Sequence, residues 1–97
     1  MKWVITKAFA APDPQFGPMQ RERFEDPAVG QGTVELAEAD ALPFRFRLLN
    51  DDGGLDYEGR SDNCDSEAAF EPLDWATGYA GSTEIHYQQE DGEWQLL

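Results

Sequence analysis

The sequence has few of the residues that enzymes most often use for chemistry. Its 97 residues include one cysteine, Cys64, and one histidine, His86. A disulfide within the chain is therefore excluded, and one Cys with one His is too few for the common four-ligand zinc sites. Cys64 also stands among Asp62, Asp65 and Glu67, whose negative charge disfavours the thiolate that a nucleophilic cysteine needs. These absences predict a protein that is not an enzyme and that has no cofactor and no metal site.

Long apolar runs are also missing. No stretch approaches the roughly 20 residues that a membrane-spanning helix needs, and residues 1–7 have neither the apolar run nor the cleavage pattern of a signal peptide. With its single cysteine, the chain is predicted to be a soluble protein of the reducing cytoplasm. Its apolar residues, 40% of the chain, suffice for the core of a single domain over residues 1–97.

Positive charge is scarce and unevenly placed. Seven Lys and Arg residues stand against twenty Asp and Glu, which gives a net charge of −13. Residues 1–24 hold four basic residues and two acids, whereas residues 25–97 hold three basic residues and eighteen acids. Such a field opposes binding to nucleic acid or to an anionic membrane and attracts basic protein surfaces. The alternative is that the acidity only maintains solubility.

What the sequence does contain is mostly strand and turn chemistry. Residues 2–9 alternate in polarity and include β-branched residues, which predicts a strand. Residues 10–32 contain four prolines and three glycines and predict a long loop, either a binding loop or a partly mobile one. Residues 33–42 favour a short helix closed by Pro43, with a strand over residues 33–36 as the alternative.

A first β-hairpin is predicted over residues 44–60, where alternating runs flank the dipeptide Asp52-Gly53. A two-residue turn at that dipeptide, with positive φ at both positions, fixes the register. The resulting cross-strand pairs are Leu48 with Tyr57 and Arg47 with Glu58. The inner face then carries Phe44, Phe46, Leu48, Leu55 and Tyr57, and the outer face carries Arg45, Arg47, Asp56, Glu58 and Arg60.

A second hairpin is predicted over residues 82–97, with its turn at Asp91-Gly92. This register places Tyr87 opposite Leu96 and Gln89 opposite Trp94, so that Ile85, Tyr87, Trp94 and Leu96 share one face. Between the hairpins, Asp65 or Ser66 is predicted to cap a short helix that Pro72 ends, and residues 73–81 form an irregular segment. Together these elements predict an α+β fold: a mainly antiparallel sheet of about five strands built on two β-hairpins, with one or two short helices.

Three runs in the second half carry a resemblance. FRFRLLNDDGGLDYEGRSD (44–62), FEPLDWATGYAGSTEIHY (70–87) and DGEWQLL (91–97) resemble a pattern found in small acidic bacterial or mobile-element proteins of uncharacterised function. The resemblance implies a bacterial or mobile-element origin and implies no particular chemistry.

The acidic composition leads to a functional hypothesis. Alternate residues on one strand face lie about 6.6 Å apart, so carboxylates on strands and turns can form a regular negative surface like that of DNA. The sequence thus predicts a decoy or inhibitor that occupies a basic, nucleic-acid-binding protein surface, the logic used by small anti-restriction and anti-CRISPR proteins. The candidate partner-binding residues are Asp51, Asp52, Asp62, Asp65, Glu67, Glu71 and Asp74.

Two alternative functions are also compatible with the sequence. The first is an accessory interaction domain that binds its partner through an aromatic patch around Trp75 and Tyr79, with acidity only for solubility. The second is a calcium site, because carboxylates suit hard cations. Its candidate clusters are Asp51, Asp52, Asp56 and Glu58, and Asp62, Asn63, Asp65 and Glu67, although neither has the spacing of the known calcium-binding loop.

Overall fold

The structure, a computed structural model, describes residues 1–9, 22–23 and 26–97. Within those residues it contains six strands: β1 (Trp3–Phe9), β2 (Glu22–Arg23), β3 (Phe44–Leu49), β4 (Leu55–Ser61), β5 (Glu84–Gln88) and β6 (Trp94–Leu96). They are accompanied by the α-helix α1 (Glu71–Ala80) and by two 3-10 helices, Leu36–Ala41 and Glu67–Phe70. The strands form one sheet in the order β2-β1-β4-β3-β5-β6, with antiparallel neighbours throughout. The predicted α+β class with a mainly antiparallel sheet is confirmed.

The core lies between the sheet and α1. Alternate residues of the central strands point to this inner face, since successive side chains of a strand point to opposite sides. The buried cluster consists of Trp3, Ile5, Ala8, Ala28, Phe46, Leu48, Tyr57, Ala69, Ala76, Ile85 and Tyr87. Each large apolar side chain that is fully buried stabilises the fold by roughly 1.5–3 kcal/mol. The inner face therefore holds most of the buried apolar side chains.

The helix α1 occupies residues for which the sequence predicts a helix end at Pro72 and an irregular segment over 73–81. Both predictions are wrong. Pro72 lies in the first turn of α1, where a missing N–H loses no helical hydrogen bond. The helix ends instead at Gly81, which takes the left-handed conformation with φ 75° and donates its N–H to carbonyls of the last turn.

Packing explains why α1 forms despite Thr77 and Gly78, which are poor helix formers. The ring of Trp75 lies 5.9 Å from that of Trp3 and 5.5 Å from that of Tyr57, and Ala76 is fully buried. Most helical stability in proteins comes from such burial of one face rather than from propensity. The tertiary contact thus decides the structure of this segment.

The opposite, outer face of the sheet is covered only in part. The short helix predicted over residues 33–42 is the 3-10 helix Leu36–Ala41, so the helical alternative is correct and the strand alternative is not. Ala39 and Leu42 pack against Val4 of β1 in a small second cluster. The outer-face residues Arg45 and Arg47 of β3 and His86 and Gln88 of β5 are half-buried.

Part of the segment predicted as a loop over residues 10–32 belongs to the sheet. Residues 10–21 and 24–25 lie outside the described residues. Residues 22–23 form β2, and the chain near Gly30 pairs with β1: the N–H of Gly30 donates to the carbonyl of Ile5, and the N–H of Ile5 donates to the carbonyl of Gln31, both at 2.8 Å. These contacts close the edge of β1 that β4 leaves free.

The turn between β3 and β4 contains three residues, 51–53, and not the predicted two. The N–H of Asn50 donates to the carbonyl of Gly54 at 2.9 Å, and Gly53 takes a φ of 75°, as in a type I turn followed by a left-handed glycine. One extra residue in β4, Asp56, then shifts the register back. The observed pairs are therefore the predicted ones, Leu48 with Tyr57 and Arg47 with Glu58.

The turn between β5 and β6 has the same form, with Gly92 at a φ of 86°, but no extra residue follows it. The predicted register is consequently wrong by one residue: Tyr87 lies opposite Gln95, Gln88 opposite Trp94 and His86 opposite Leu96. Trp94 and Leu96 lie on the outer face, not on the predicted inner face. Leu96 is 59% exposed.

Candidate functional site

Five of the seven predicted partner-binding acids lie between the end of β4 and the middle of α1. We call these five residues the acidic face: Asp62, Asp65, Glu67, Glu71 and Asp74. Four of them are exposed and Glu71 is half-buried. Four of these five residues therefore face solvent, as the decoy hypothesis requires.

Asn63 gives the acidic face its local geometry. Its side-chain oxygen accepts hydrogen bonds from the N–H groups of Asp65 and Ser66, both at 3.1 Å, and its amide nitrogen donates to the hydroxyl of Ser66 at 2.7 Å. Such bonds are typical of asparagine at turns. They bend the chain from β4 into the 3-10 helix Glu67–Phe70 and leave the carboxylate of Asp65 in solvent.

The amino-terminal end of the chain borders the acidic face. The backbone N–H of Lys2 donates to Asp62 Oδ1 at 2.9 Å, and the amino group of Met1 lies 3.5 Å from Glu71 Oε2. Among the described residues, the carboxylates of Asp65, Glu67 and Asp74 form no ion pair. Binding to a partner would therefore not require these three side chains to break an ion pair within the protein.

Asp51 and Asp52 do not belong to this group. They are exposed in the turn before β4, whereas Asp62 follows the last residue of that strand. A strand of seven residues spans about 20 Å at roughly 3.3 Å per residue. The structure thus places the predicted site residues at two opposite ends of the sheet.

The described arginine side chains lie on the face of the sheet opposite α1, although Arg60 lines one cleft together with Cys64, which stands between Asp62 and Asp65. Arg45 and Arg47 of β3 and Arg60 of β4 point to the outer face, and the carboxylate paired with Arg45 is that of Glu58, at 3.3 Å. The guanidinium groups of Arg45 and Arg47 lie 5.5 Å and 4.5 Å from the ring centre of Trp94. None of the described arginine side chains forms an ion pair with a carboxylate of the acidic face.

An aromatic patch adjoins the acidic face, as the alternative hypothesis requires. The rings of Trp75 and Tyr79 are stacked, with centres 5.0 Å apart, and Tyr79 is 52% exposed. Phe70, which the sequence did not single out, is also exposed at the start of α1. Trp75 and Tyr79 are four residues apart, a spacing that places two side chains on one face of a helix. The sequence does not indicate the stack because it predicts no helix over residues 73–81.

Two residues of the first calcium candidate, Asp56 and Glu58, have other partners. Asp56 accepts hydrogen bonds from Asn50 Nδ2 at 3.3 Å and from Ser82 Oγ at 2.7 Å, and Glu58 pairs with Arg45. In the part of the chain that the structure describes, no group of three or more His, Cys, Asp or Glu side chains is arranged to hold a metal ion. His86 Nε2 lies 3.2 Å from Glu84 Oε2.

Comparison with known proteins adds no assignment to this geometry. No family model, curated protein or solved structure matches the chain. The resemblance to small acidic bacterial proteins therefore stays a prediction. None of the described helices is long and apolar enough to cross a membrane.

Cys64 offers a direct test of the local field at the acidic face. Partial burial raises the pKa of its thiol, and the carboxylate of Asp65 raises this pKa further. Because the thiolate is the reactive form, alkylation of Cys64 by iodoacetamide at neutral pH should be slower than that of a free cysteine. Asp65→Asn should speed the reaction, whereas Asp51→Asn, which removes the same charge at the distant turn, should not. Equal rates for the two variants would contradict this assignment.

Proposed function

We propose that this protein is a non-enzymatic binding protein whose acidic face occupies a basic protein surface, in the manner of a decoy or inhibitor of a nucleic-acid-binding protein. The observation that carries the proposal is the separation of charge. Exposed carboxylates without internal ion pairs gather beside α1, while the described arginine side chains lie on the opposite face of the sheet. The proposal places the protein in the cytoplasm, where such partners act.

The cost of binding differs between carboxylates that are already paired and those that are not. Complementary charge across an interface steers encounter and selects partners, but a charge already paired within its own protein gains little. Asp65, Glu67 and Asp74 have no internal ion pair among the described residues. A basic partner would supply positive charges with which these three carboxylates can form ion pairs.

The shape of the acidic face also fits a partner built for nucleic acid. The carboxylates come from a strand end, a 3-10 helix and the first turns of α1, so they are held by backbone structure rather than on a free tail. Nucleic-acid channels bind a fixed array of phosphates through Lys and Arg and release counterions when they do so. A rigid array of carboxylates would compete for the same cations.

A second candidate is supported by the aromatic patch. Tyr79 is half-exposed and stacked on Trp75, and tyrosines of this kind are enriched among residues that dominate binding energy. In this version the partner contacts Tyr79 and Phe70, and the acids serve solubility. The two candidates differ in salt dependence, because apolar contacts respond weakly to ionic strength while exposed charge pairs respond strongly.

The test uses affinity capture from a bacterial lysate at low and high salt, followed by elution with a short DNA duplex. A decoy should capture at low salt a nucleic-acid-binding protein that the duplex displaces. The variant Asp65→Lys/Glu67→Lys should weaken this capture by about 100-fold, because each reversal replaces attraction by repulsion. The matched variant Asp51→Lys/Asp52→Lys, with the same change of charge at the other end of β4, should bind normally.

Three results would count against the decoy. Capture that persists at high salt, resists the duplex or survives Asp65→Lys/Glu67→Lys would each remove its physical basis. If Tyr79→Ala abolishes a salt-resistant capture, the aromatic candidate replaces it. Near-ultraviolet circular dichroism of each variant distinguishes lost binding from lost folding.

A further inference from the structure

The outer face of the sheet carries a concentration of positive charge that the proposed function does not use. Arg45 and Arg60 lie directly opposite each other on β3 and β4, and Arg47 lies opposite Glu58. Like charges directly opposite on neighbouring strands are destabilising. Glu58 accepts a hydrogen bond from Arg45 Nη2 at 3.3 Å, which leaves Arg60 without a carboxylate among the described residues. In a chain with a net charge of −13, this cluster has the opposite sign to its surroundings.

Two donors in this cluster have no acceptor. The Nε atoms of Arg47 and Arg60 are buried and form no hydrogen bond. Among the described residues, no other buried side-chain nitrogen or oxygen atom lacks a hydrogen-bond partner. Native proteins leave few buried polar groups unsatisfied, because each one costs the hydrogen bonds it made with water. An unpaired donor beside like charges is a group that a nearby external anion would stabilise.

Two of the three arginines line a cleft. Arg45 and Arg60 border an open cavity of about 610 Å³ between the beginning of β3 and the turn that follows β5. Pro43 and Phe44 give it an apolar wall, and Gln88 adds an amide that already accepts a hydrogen bond from Arg45 Nη1 at 3.3 Å. A volume of several hundred Å³, apolar walls and a few polar groups are the usual features of small-molecule sites.

We propose that Arg45 and Arg60 bind the carboxylate or phosphate head of a small organic anion, whose apolar body lies along Pro43 and Phe44. The guanidinium group is a planar fork of donors that matches both heads with two parallel hydrogen bonds. An acceptor between the two arginines would relieve their mutual repulsion and give Arg60 the partner that it lacks. The cleft also includes Cys64, between Asp62 and Asp65 of the acidic face. The anion site does not depend on the proposed function, because it uses the arginines and not the carboxylates.

The remaining lining residues limit what the ligand can be. Glu90 and Asp91, at the turn between β5 and β6, border the same cleft. Their carboxylates would repel an extended polyanion such as a nucleic acid. A compact ligand with one anionic head would place that head against the arginines. Its uncharged apolar body would then face the rest of the cleft.

The test is a titration of the nitrogen-15-labelled protein with benzoate, phenyl phosphate and inorganic phosphate, followed through the arginine Nε–H signals by nuclear magnetic resonance. We expect saturable shifts of the Arg60 signal with at least one aromatic anion, with a dissociation constant of about 1 mM or tighter. Inorganic phosphate, which has no apolar body, should bind about tenfold more weakly than the better aromatic anion. Equal affinity of phosphate and phenyl phosphate would overturn the role given to Pro43 and Phe44.

Variants separate a built site from general attraction of anions to positive charge. Arg60→Gln and Arg60→Lys, followed through the Nε–H signal of Arg45, should each weaken binding by at least about tenfold, because both remove the fork and the second keeps the charge. Lys2→Gln, which removes a positive charge that borders neither this cleft nor the neighbouring one, should bind as the wild type does. Shifts that do not saturate, or binding of wild-type strength in Arg60→Lys, would overturn the proposal.

Discussion

Replacing Gly59 by alanine is expected to destabilise the protein by more than about 3 kcal/mol, the upper range for overpacking a close-packed core. Gly59 lies in the central strand β4 and is directly opposite Phe46 of β3 and Ile5 of β1. A Cβ atom there would stand 2.5 Å from the carbonyl oxygen of Val4 and 2.8 Å from Cε2 of Phe46. The first of these is a backbone atom of a neighbouring strand, which cannot move aside without breaking the pairing.

Urea denaturation followed by far-ultraviolet circular dichroism measures this loss directly. Gly78→Ala is the matched control, because Gly78 lies in α1 with no atom within 4 Å of the added carbon. That substitution should stabilise the protein by about 0.5–1 kcal/mol, the usual gain of alanine over glycine in a helix. In the Gly59→Ala background, Phe46→Leu should cost less than it does alone, since one of the two clashes disappears. A stability for Gly59→Ala within about 0.5 kcal/mol of the wild type would refute the packing described.

The sequence predicts the sheet where local pattern and tertiary structure agree. The alternation of residues 2–9, 44–48 and 55–60 indicates strands with one buried face, and these strands form β1, β3 and β4. Burial of one face makes a register slip costly. That constraint is strong enough to predict the pair of Leu48 and Tyr57 even though the turn has one residue more than the sequence predicts.

The turns show the limit of what the local sequence pattern can predict. Asp-Gly suits both a two-residue turn and the three-residue turn with a left-handed glycine that the structure adopts at both places. What distinguishes the two strand pairs is the extra residue Asp56, whose carboxylate is bonded to Ser82 Oγ at 2.7 Å. That partner is 26 residues away in sequence. No signal near the turn could have indicated it, so the registers of the two pairs could not be told apart.

The candidate site was predictable in composition and only partly in arrangement. Exposure of Asp62, Asp65 and Glu67 follows from their turn chemistry and charge. The separation of Asp51 and Asp52 from them also had a signal, because the predicted strand between the two groups already implied a distance of about 20 Å. The position of Asp74 on a helix had none, since α1 owes its existence to contacts between Trp75 and distant rings.

The two tryptophans of β1 and β6 should respond very differently to truncation. Trp3 is 6% exposed, and its ring centre lies 6.3 Å from that of Phe46 and 5.9 Å from that of Trp75. Trp3→Ala should therefore cost about 3–5 kcal/mol, as large-to-small changes in a core do. That loss is a large fraction of the roughly 5–15 kcal/mol that stabilises a typical domain.

Trp94→Ala serves as its control and tests the register of β6. On the outer face, the ring of Trp94 contacts the guanidinium groups of Arg45 and Arg47, and such contacts contribute only about 0.5–1 kcal/mol each when exposed. If Trp94 lay on the inner face, as the two-residue turn predicted, its truncation would open a cavity and cost about as much as Trp3→Ala. Urea denaturation followed by far-ultraviolet circular dichroism, which does not depend on tryptophan emission, compares the two.

The region that loses stability also distinguishes Trp3→Ala from Trp94→Ala. Trp3 holds α1 against the sheet through Trp75, so Trp3→Ala should raise hydrogen exchange in residues 73–80 more than in β3 and β4. Because α1 carries Asp74 and Tyr79, both candidate functions would lose their support in this variant while the strand pairing survives. Equal losses of stability in Trp3→Ala and Trp94→Ala, or exchange that rises first in the sheet, would show that α1 is not anchored as described. The acidic face would then have no fixed geometry with which to match a partner.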